Sequence, residues 1–223
     1  MQDLIKKKNT NKNMAGSEYL IFGSSQNFQE FMVMYNSALK EVCTKLEILN
    51  DDFNATYNRN PIESIKSRIK SIESITEKMA RKNLDITLEN MMEHINDIAG
   101  IRVVCKYIDD IYTVASMLTR QDDITIINVK DYIKSPKENG YRSYHMIIEI
   151  PVFFANRKQL IKVEIQLRTI AMNFWASLEH QMRYKNVSAN KNNIGPRLKN
   201  CAEVIARLDK EMQDISNSIF DED

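Results

Sequence analysis

Apolar residues recur every three or four positions near both ends of the chain, which is the period of amphipathic helices. The first such stretch predicts a helix over about 27–50. The last helix has apolar positions spaced by 3, 4, 3, 4, 3 and 4 residues from Leu198 to Ile219, the spacing of a heptad seam. The sequence leaves open whether this seam packs on its own domain or against another subunit.

Between these helices the apolar period changes to two, which predicts β-strands. The predicted strands cover about 101–107, 124–130, 144–152 and 161–168. In the last of them every second residue is apolar, and the residues between are polar: Lys162, Glu164, Gln166 and Arg168. Such a strand is half buried, with one face in the core.

Capping residues predict where two further helices start. Asp109 or Asp110 would cap a short helix that ends near Leu118. Thr169 would cap a longer helix that ends near Lys185. Each of these helices would begin just after a predicted strand.

The segment between residues 60 and 82 does not fit one continuous helix. Asn60–Pro61 is typical of a helix start, and the apolar spacing continues to Lys82. Arg68, however, would then lie on the apolar stripe. A break resolves this conflict if residues 68–70 are extended and a new helix is capped by Ser71. Arg68 and Lys70 would then point the same way beside a helix N-terminus, which attracts anions.

The order of these elements is helix, helix, strand, helix, three strands and two helices. This order predicts an α+β protein with a mixed, largely antiparallel sheet flanked by helices. We divide the chain into a flexible tail, a main domain and a C-terminal helix, and a polar linker over 186–193 spans the boundary between the last two. The corresponding ranges are 1–26, 27–190 and 191–223.

Composition narrows the possible classes of protein. With 31 Lys and Arg against 30 Asp and Glu, the net charge of +1 excludes a chain that binds nucleic acid mainly through its charge, although local basic patches remain possible. No apolar run approaches the 18 or so residues of a membrane span. Cys43, Cys105 and Cys201 are far apart and predict free thiols in a reducing cytoplasm.

A basic set of residues is the first candidate for chemistry. Its members are Arg68, Lys70, Ser74, Lys78, Arg81 and Arg102. Most basic stripes are solvated helix faces, but Arg102 lies within a strand on its polar side, where a charge needs a partner. Arginine planes stack on bases and lysines neutralise phosphates.

An acidic pair and a loop are the other candidates. Asp97 and Glu164 could hold Mg²⁺ together, or could be an ordinary cap and a cross-strand ion-pair partner. The loop 134–145 contains two lysines, an arginine, two tyrosines and a histidine, which suit a nucleotide clamp, although Asn139–Gly140 could equally form a simple hairpin turn. The phosphate-binding motifs GxxxxGK[ST] and GxGxxG are both absent from the sequence.

Four segments make the sequence resemble a known family. They are Asp97–Arg102 (DIAGIR), Gly140–His145 (GYRSYH), Glu164–Thr169 (EIQLRT) and Trp175–His180 (WASLEH). In order and spacing they resemble the synthetase domain of RelA/SpoT-type alarmone synthetases over about Phe28–Glu211. The short chain and the segment 170–176 are similar to the single-domain small alarmone synthetases of the RelP type.

The resemblance implies a pyrophosphokinase that moves the β,γ-pyrophosphate of ATP to the 3′-OH of GDP or GTP, giving ppGpp or pppGpp and AMP. Arg68 and Arg102 would sandwich adenine, and the other members of the basic set would hold the ATP phosphates. Asp97 would bind Mg²⁺, while Glu164 would act as general base and share the metal. On the acceptor nucleotide, Tyr141 would stack on guanine. The phosphates would be contacted by Lys130, Lys137 and His145. The sugar and base would be positioned by Gln166 and Asn173.

The resemblance also implies a fold and an assembly. The fold would be a five-stranded, palm-like nucleotidyltransferase sheet. The chain lacks a His-Asp dipeptide, so synthesis without hydrolysis is expected. The small members are often homotetramers, which suits the heptad seam, and the enzyme would be cytoplasmic.

Three other functions compete with this interpretation, and one of them is a structural coiled-coil adaptor that would use the last helix alone. A related pyrophosphokinase could act on tRNA or on adenosine nucleotides, although the low net charge does not favour RNA binding. A non-catalytic RNA- or nucleotide-binding module would need the basic groove and Tyr141 but neither Asp97 nor Glu164.

Overall fold

The computed structural model describes residues 22–185 and 191–220, which form helices around a central sheet. The helices are α1 (Ser25–Tyr57), α2 (Ile72–Arg81), α3 (Leu88–His94), α4 (Ile108–Thr119), α5 (Ile170–Lys185) and α6 (Lys191–Phe220). The strands are β1 (Ile62–Ile69), β2 (Ala99–Cys105), β3 (Thr125–Asp131), β4 (Tyr144–Phe153) and β5 (Lys158–Thr169).

Within the described residues these strands form a five-stranded sheet in the order β1-β2-β5-β4-β3. β2 and β5 are parallel, and the other neighbouring pairs are antiparallel. The parallel pair needs a long crossover, which α4, β3 and β4 provide. The structure therefore confirms the α+β class and the mixed, largely antiparallel sheet flanked by helices.

The two faces of the sheet have different environments. α1 and α4 pack on one face and bury the apolar residues of the strands. In β5 the predicted alternation is confirmed, because the four apolar residues are all buried: Ile161, Val163, Ile165 and Leu167. The opposite face of β5 carries the polar side chains and remains partly open. That open face is where a ligand can reach the sheet.

The prediction of a helix starting at Asn60–Pro61 is wrong, because strand β1 occupies this segment. A β-bulge lies between Ile62 and Ser64, where the register against β2 shifts. Because a bulge adds one residue to a strand, Ile62 and Ile65 both pack on the core although they are three residues apart. The strand therefore shows the apolar spacing of a helix.

Two of the predicted helix caps are confirmed. Ser71 ends the extended segment and caps α2, with its Oγ accepting a hydrogen bond from the Ser74 amide at 3.3 Å. Thr169 caps α5, with its Oγ1 accepting from the Met172 amide at 3.1 Å. The predicted break between Arg68 and the following helix is thus present, and it places β1 and α2 end to end.

The predicted cap of α4 is wrong, because the helix begins at Ile108 and follows Tyr107 rather than Asp109 or Asp110. The carboxylate of Asp110 is buried and accepts a hydrogen bond from the Tyr107 amide at 3.2 Å. Its other oxygen lies 2.6 Å from Nη1 of Arg59. Burial raises the pKa of Asp110, although the Arg59 guanidinium opposes that rise.

Arg59→Met is expected to lower the free energy of unfolding by about 2 kcal/mol at pH 7, because it leaves the Asp110 carboxylate buried without its cation. The pKa of Asp110 is already raised in the folded state, so protonation at lower pH removes the penalty. Urea unfolding should therefore show a deficit that shrinks from pH 7 towards pH 5. Arg157→Met, which removes an exposed pair with Glu30, should change stability by less than about 0.5 kcal/mol. An equal loss in both variants would contradict this account.

The predicted boundaries of the tail and the linker need correction. Of the predicted tail over 1–26, residues 1–21 lie outside the described residues. Phe22 is only 3 % exposed and packs on Phe31, and α1 already begins at Ser25. The domain therefore begins before the predicted boundary, and α1 also extends beyond its predicted end.

Helix α6 begins within the predicted linker, whose residues 186–190 lie outside the described residues. Several hydrogen bonds anchor α6 to the domain. They include one from Trp175 Nε1 to the Leu198 carbonyl at 2.9 Å and one from Thr169 Oγ1 to Asp209 Oδ2 at 2.6 Å. Its buried residues are Ala202, Asp209, Gln213 and Ser216. The second half of the heptad seam is instead 45–60 % exposed: Leu208, Met212, Ile215 and Ile219. The domain therefore leaves this part of the seam uncovered.

Among the helices described, none is long and apolar enough to pass through a bilayer. The three cysteines are free: Cys43 is half-buried, Cys105 is buried and Cys201 is exposed on α6. Burial raises the pKa of the Cys105 thiol, so this group is held in its neutral form as part of the core.

Candidate nucleotide-binding and transfer site

Strand register brings one polar residue from each strand into a single row across the open face of the sheet. Lys66 lies opposite Arg102, and Arg102 lies opposite Gln166. Gln166 lies opposite His145, which in turn lies opposite Lys130. Directly opposed residues share a face of a sheet. The row therefore brings together four predicted site residues from distant segments of the sequence: Arg102, Gln166, His145 and Lys130. It also contains Lys66, which the sequence does not predict.

A cluster of opposite charges lies where β1 leads into α2. Lys70 Nζ lies 3.1 Å from Oδ2 of Asp97, and Lys78 Nζ lies 2.8 Å from Oδ1. The backbone supports this cluster, because the Lys70 amide donates to the Ile98 carbonyl at 2.8 Å. Burial alone would raise the pKa of Asp97, but the two lysines outweigh burial and lower it. Asp97 is therefore ionised at neutral pH.

A cleft of about 230 Å³ separates the basic residues of β1 and β2 from Glu164. It is lined by Lys66, Ser67, Arg68, Gly100, Ile101, Arg102, Glu164 and Gln166. The Nε of Arg102 is buried and has no hydrogen-bond partner among the described residues. Burial, together with the charges of Arg168 and Arg68, lowers the pKa of Arg102. These features suit a planar or anionic ligand that would pair with the crowded guanidinium groups.

Glu164 lines the other wall of this cleft and lies close to two donor side chains. Gln166 Nε2 donates to its Oε2 at 2.8 Å, and His145 Nδ1 lies 3.6 Å from its Oε1. Burial and the charge of Asp97 would raise the pKa of Glu164, but His145 and Gln166 more than compensate and lower it. Glu164 is therefore an ionised carboxylate on a rigid strand, facing a space that a second reactant can enter.

Tyr141 is surrounded by cations and rings. Lys137 Nζ lies 4.9 Å from the centre of its ring, and the Arg168 guanidinium lies 5.1 Å from it. The hydroxyl of Tyr141 lies 2.8 Å from His145 Nε2, and Tyr132 meets the Tyr141 ring edge-on at 6.1 Å. An aromatic face beside two cations can bind a stacked base and its phosphates.

The loop that carries Tyr141 is fixed by its contact with α6. Gly140 has φ +88°, a left-handed conformation that favours glycine. A Cβ at this position would lie 2.6 Å from the Cβ of Ala202, so only glycine allows the helix to approach this closely. Arg142 adds hydrogen bonds from Nη1 to the Gly140 and Ala202 carbonyls at 3.1 and 3.3 Å. Asn139–Gly140 therefore does not form a simple two-residue hairpin.

The remaining predicted residues lie around this site. Ser74 is in the first turn of α2 and its Oγ accepts from Ser71 at 3.0 Å, while Arg81 is exposed at the other end of that helix. Lys130 is exposed on the edge strand β3. Asn173 is half-buried on α5, and its Oδ1 is buried without a partner among the described residues.

The predicted residue set misses three side chains in this site. Lys66 lines the cleft, Tyr132 packs edge-on against both Tyr141 and His145, and Arg168 bonds to the Tyr141 hydroxyl. Arg168 is visible in the sequence as the last polar residue of the alternating strand β5. Its importance depends on the pairing of β4 with β5, which periodicity does not reveal.

The carboxylate of Asp97 is close enough to Glu164 for its charge to raise the pKa of Glu164. Within the described residues no group of three or more His, Cys, Asp or Glu side chains could hold a metal ion. This donor set fits Mg²⁺, which is commonly bound by one or two carboxylates together with waters and substrate phosphates. It does not suit Zn²⁺, which takes three or four protein ligands.

The comparisons with known proteins agree with this geometry. Residues 67–189 match the family model described as the region found in RelA / SpoT proteins. The chain therefore belongs to the RelA/SpoT family. It is 45 % identical over 194 residues to GTP pyrophosphokinase YwaC of Bacillus subtilis, covering 87 % of this chain and 92 % of that protein.

Two solved structures of the small alarmone synthetase 1 from Bacillus subtilis have the same fold. The structure bound to its product pppGpp matches with a TM-score of 0.79 and 36 % identity, covering 87 % of this chain and 99 % of that one. The structure bound to AMPCPP matches with a TM-score of 0.73 and 34 % identity, covering 87 % and 98 %. The architecture is thus that of small alarmone synthetases along almost their entire length.

Proposed function

We propose that this chain is a GTP/GDP pyrophosphokinase that transfers the β,γ-pyrophosphate of ATP to the 3′-OH of GDP or GTP and releases AMP. The observation that carries the proposal is the position of Glu164 between two sets of nucleotide-binding groups on one sheet face. A relative named GTP pyrophosphokinase and neighbours that hold pppGpp or AMPCPP support both the reaction and its two substrates.

ATP binds over β1, β2 and the start of α2 in this proposal. Arg68 and Arg102 line the same cleft, so their planar groups can hold adenine between them. The phosphates then face Lys70, Ser74, Lys78 and Arg81. The lysines already form ion pairs in the structure, which shows that both reach the same point in space.

GDP or GTP binds on the other side of Glu164. Its guanine stacks on Tyr141, and Lys137, which lies over the same ring, is placed for the phosphates together with Lys130 and His145. Gln166 and Asn173 contact sugar and base. The Oδ1 of Asn173 supports this role, because it has no hydrogen-bond partner in the described part of the chain and an amide oxygen can accept from a guanine N–H group.

The reaction is an in-line displacement at the β-phosphorus of ATP. The 3′ oxygen forms a bond to that phosphorus, the bond to the α,β-bridging oxygen breaks, and AMP leaves with that oxygen. Glu164 accepts the proton of the 3′-OH. Its lowered pKa makes it a weak base, so the proton moves late, once the 3′ oxygen has begun to bond to phosphorus and its O–H has become more acidic. Alignment of the two nucleotides and neutralisation of phosphate charge supply most of the catalysis.

We further propose that Asp97 and Glu164 hold Mg²⁺ when the nucleotides are bound. The ion would polarise the transferred phosphates and the acceptor hydroxyl. With the ion bound, Asp97 would pair less closely with Lys70 and Lys78, and both lysines would be available to phosphate oxygens. The charge cluster is therefore arranged so that metal and nucleotide bind together.

The decisive test is a turnover assay with γ-labelled ATP, Mg²⁺, and GDP, GTP or total tRNA in separate reactions. Label in a guanosine tetra- or pentaphosphate with equimolar AMP would establish the proposed function and rank the acceptors. Label only on tRNA would indicate the related tRNA-modifying reaction. No AMP in any reaction would favour a nucleotide-binding module and contradict the catalytic roles of Asp97 and Glu164.

Tyr141→Ala is expected to raise the KM for the guanine nucleotide by about 10- to 100-fold, because base stacking contributes about 1–3 kcal/mol. The KM for ATP should stay within about twofold. Tyr141→Phe keeps the ring and is the matched control, so it should keep the acceptor KM near wild type. Initial rates over a matrix of both substrates measure these constants. Equal effects of both substitutions on the acceptor KM would contradict stacking.

We propose that the enzyme is a homotetramer in which the exposed part of the α6 seam contacts another subunit. Together with Ile170 and Phe174 of α5, the seam borders an apolar groove of about 540 Å³. Apolar side chains exposed over such an area are typical of subunit interfaces.

Leu208→Glu combined with Met212→Glu is expected to reduce the mass in solution, because two buried charges in an apolar interface would strongly disfavour assembly. Multi-angle light scattering measures the mass. Phe153→Glu, at an exposed apolar residue of β4, is the control and should leave the mass unchanged. An unchanged mass in the α6 variant would remove this seam from the interface.

We place the enzyme in the cytoplasm, where ATP and guanine nucleotides are available. Its free thiols are compatible with the reducing conditions there.

A further inference from the structure

Five side chains of the acceptor half of the site form a closed ring of contacts, and Glu164 is one of them. Arg168 Nη2 donates to the Tyr141 hydroxyl oxygen at 2.6 Å and to Gln166 Oε1 at 3.1 Å. Gln166 then donates to Glu164. On the other side, the Tyr141 hydroxyl reaches His145, whose second ring nitrogen faces Glu164. Four of these residues have roles in the proposed function, and Arg168 has none.

The chemistry of Arg168 determines the direction of the first chain of contacts. A guanidinium group only donates hydrogen bonds. The Gln166 amide must therefore turn its oxygen towards Arg168, and its NH₂ group is left to face Glu164. The ionised carboxylate only accepts and favours the same orientation, so Arg168 and Glu164 hold the amide from its two ends.

The second chain follows the same rule. The Tyr141 oxygen accepts from Arg168, so its hydrogen is available for His145 Nε2. In the neutral imidazole the other nitrogen, Nδ1, then carries the hydrogen and faces Glu164. Both chains begin at one buried guanidinium group and end at the same carboxylate. Gln166 donates a hydrogen bond to one of its oxygens at 2.8 Å, and His145 Nδ1 lies 3.6 Å from the other.

We infer that Arg168 is a positioning residue that orients Glu164 through these two chains and couples the guanine-stacking ring to the general base. Arg168 is only 5 % exposed, so its side chain has little freedom to adopt other geometries. Its guanidinium also lies against the Tyr141 ring, so one group fixes both the platform for the base and the carboxylate that receives the 3′ proton. This inference rests on the proposed transfer to the 3′-OH.

Arg168→Met is expected to lower kcat by about 10- to 100-fold, because small displacements of a reacting group have effects of this size. The KM for ATP should stay within about twofold, since Arg168 itself does not line the donor cleft. Calorimetric titration with AMPCPP gives the fraction of chains that bind, and kcat is expressed per binding chain. A defect that is only structural would lower that fraction and leave the corrected kcat unchanged.

A double-mutant cycle tests the coupling directly. Tyr141→Phe removes the hydroxyl that joins Arg168 to His145. The fold-reduction of kcat in the double variant should therefore be smaller than the product of the reductions in the two single variants. Arg168→Lys keeps the buried charge and serves if the Met variant does not fold; an ammonium group lacks the planar fork, so a loss of kcat is still expected. Arg157→Met is the control. Like Arg168, Arg157 stacks on an aromatic ring, but it lies away from the site, where it pairs with Glu30.

The outcomes separate this inference from the proposed function. No AMP from the wild-type chain would overturn the proposed function itself. Wild-type turnover with an unchanged corrected kcat in a folded Arg168 variant would overturn the positioning role alone. Losses in the cycle that simply multiply would also overturn it, because Arg168 would then act independently of Tyr141.

Discussion

Glu164→Gln is expected to reduce kcat by about 10³-fold or more while ATP binding stays within a few-fold of wild type. General-base catalysis contributes about 10²- to 10⁴-fold, and the substitution also removes a negative charge that we assign to the metal site. The fold should survive, because glutamine has nearly the same shape and the strand β5 is held on both sides by its neighbours. Rapid-quench measurement of AMP and calorimetry with AMPCPP separate turnover from binding.

Glu149→Gln is the matched control for this substitution. Glu149 is a half-buried carboxylate on β4, opposite Lys162 and on the same face of the sheet. Its loss should change kcat by less than about twofold, because it lies outside the cleft and has no assigned role. Near-wild-type activity of Glu164→Gln, or an equal loss in the control, would refute the role of Glu164 as general base.

Asp97→Asn is expected to lower kcat by a similar factor, about 10³-fold, but through a different mechanism. The change removes a charged oxygen ligand from the proposed Mg²⁺ site. It also removes the negative charge that Lys70 and Lys78 share. In the absence of Mg²⁺, AMPCPP should therefore bind about threefold or more tightly than it does to wild type, because both lysines become free for phosphate.

Calorimetry with AMPCPP, with and without Mg²⁺, checks this opposite response of turnover and binding. Asp123→Asn is the control, since Asp123 forms an ion pair with Lys45 away from the site. It should change neither quantity by more than about twofold. Weaker metal-free binding in the Asp97 variant would show that the carboxylate orders the lysines for phosphate rather than competing with it.

Most of the fold could be predicted from the sequence, and the exceptions have specific causes. Four strands are predictable from the sequence. In β2, β4 and β5 alternate residues are buried in the core, whereas β3 is an edge strand whose side chains are mostly exposed. β1 was the exception, since its bulge brings Ile62 and Ile65 to the same face and imitates helical spacing. The sequence predicts Asp110 as a cap because acidic residues favour helix starts, whereas in the structure its carboxylate is buried against Arg59.

The candidate site was predictable as a set of residue types and much less as a geometry. The segments with DIAGIR, GYRSYH and EIQLRT identified the family and most of the side chains that now lie together. Lys66 and Tyr132 lie outside those segments, and nothing in their local sequence distinguishes them from ordinary surface residues. Only the pairing of strands brings them to the cleft and to the Tyr141 ring.

The sequence by itself determined the alternating polar face of β5, the cap at Ser71 and the heptad spacing of α6, because each depends on residues close together in the chain. Tertiary structure decided which face of α6 packs on the domain and which part of its seam is left exposed. It also decided that Arg168 meets Tyr141 and Gln166, since that contact requires the register of β4 against β5. Local patterns reflect burial and hydrogen bonding within a segment, whereas the direction of a hydrogen-bond chain between segments is set only when those segments pair.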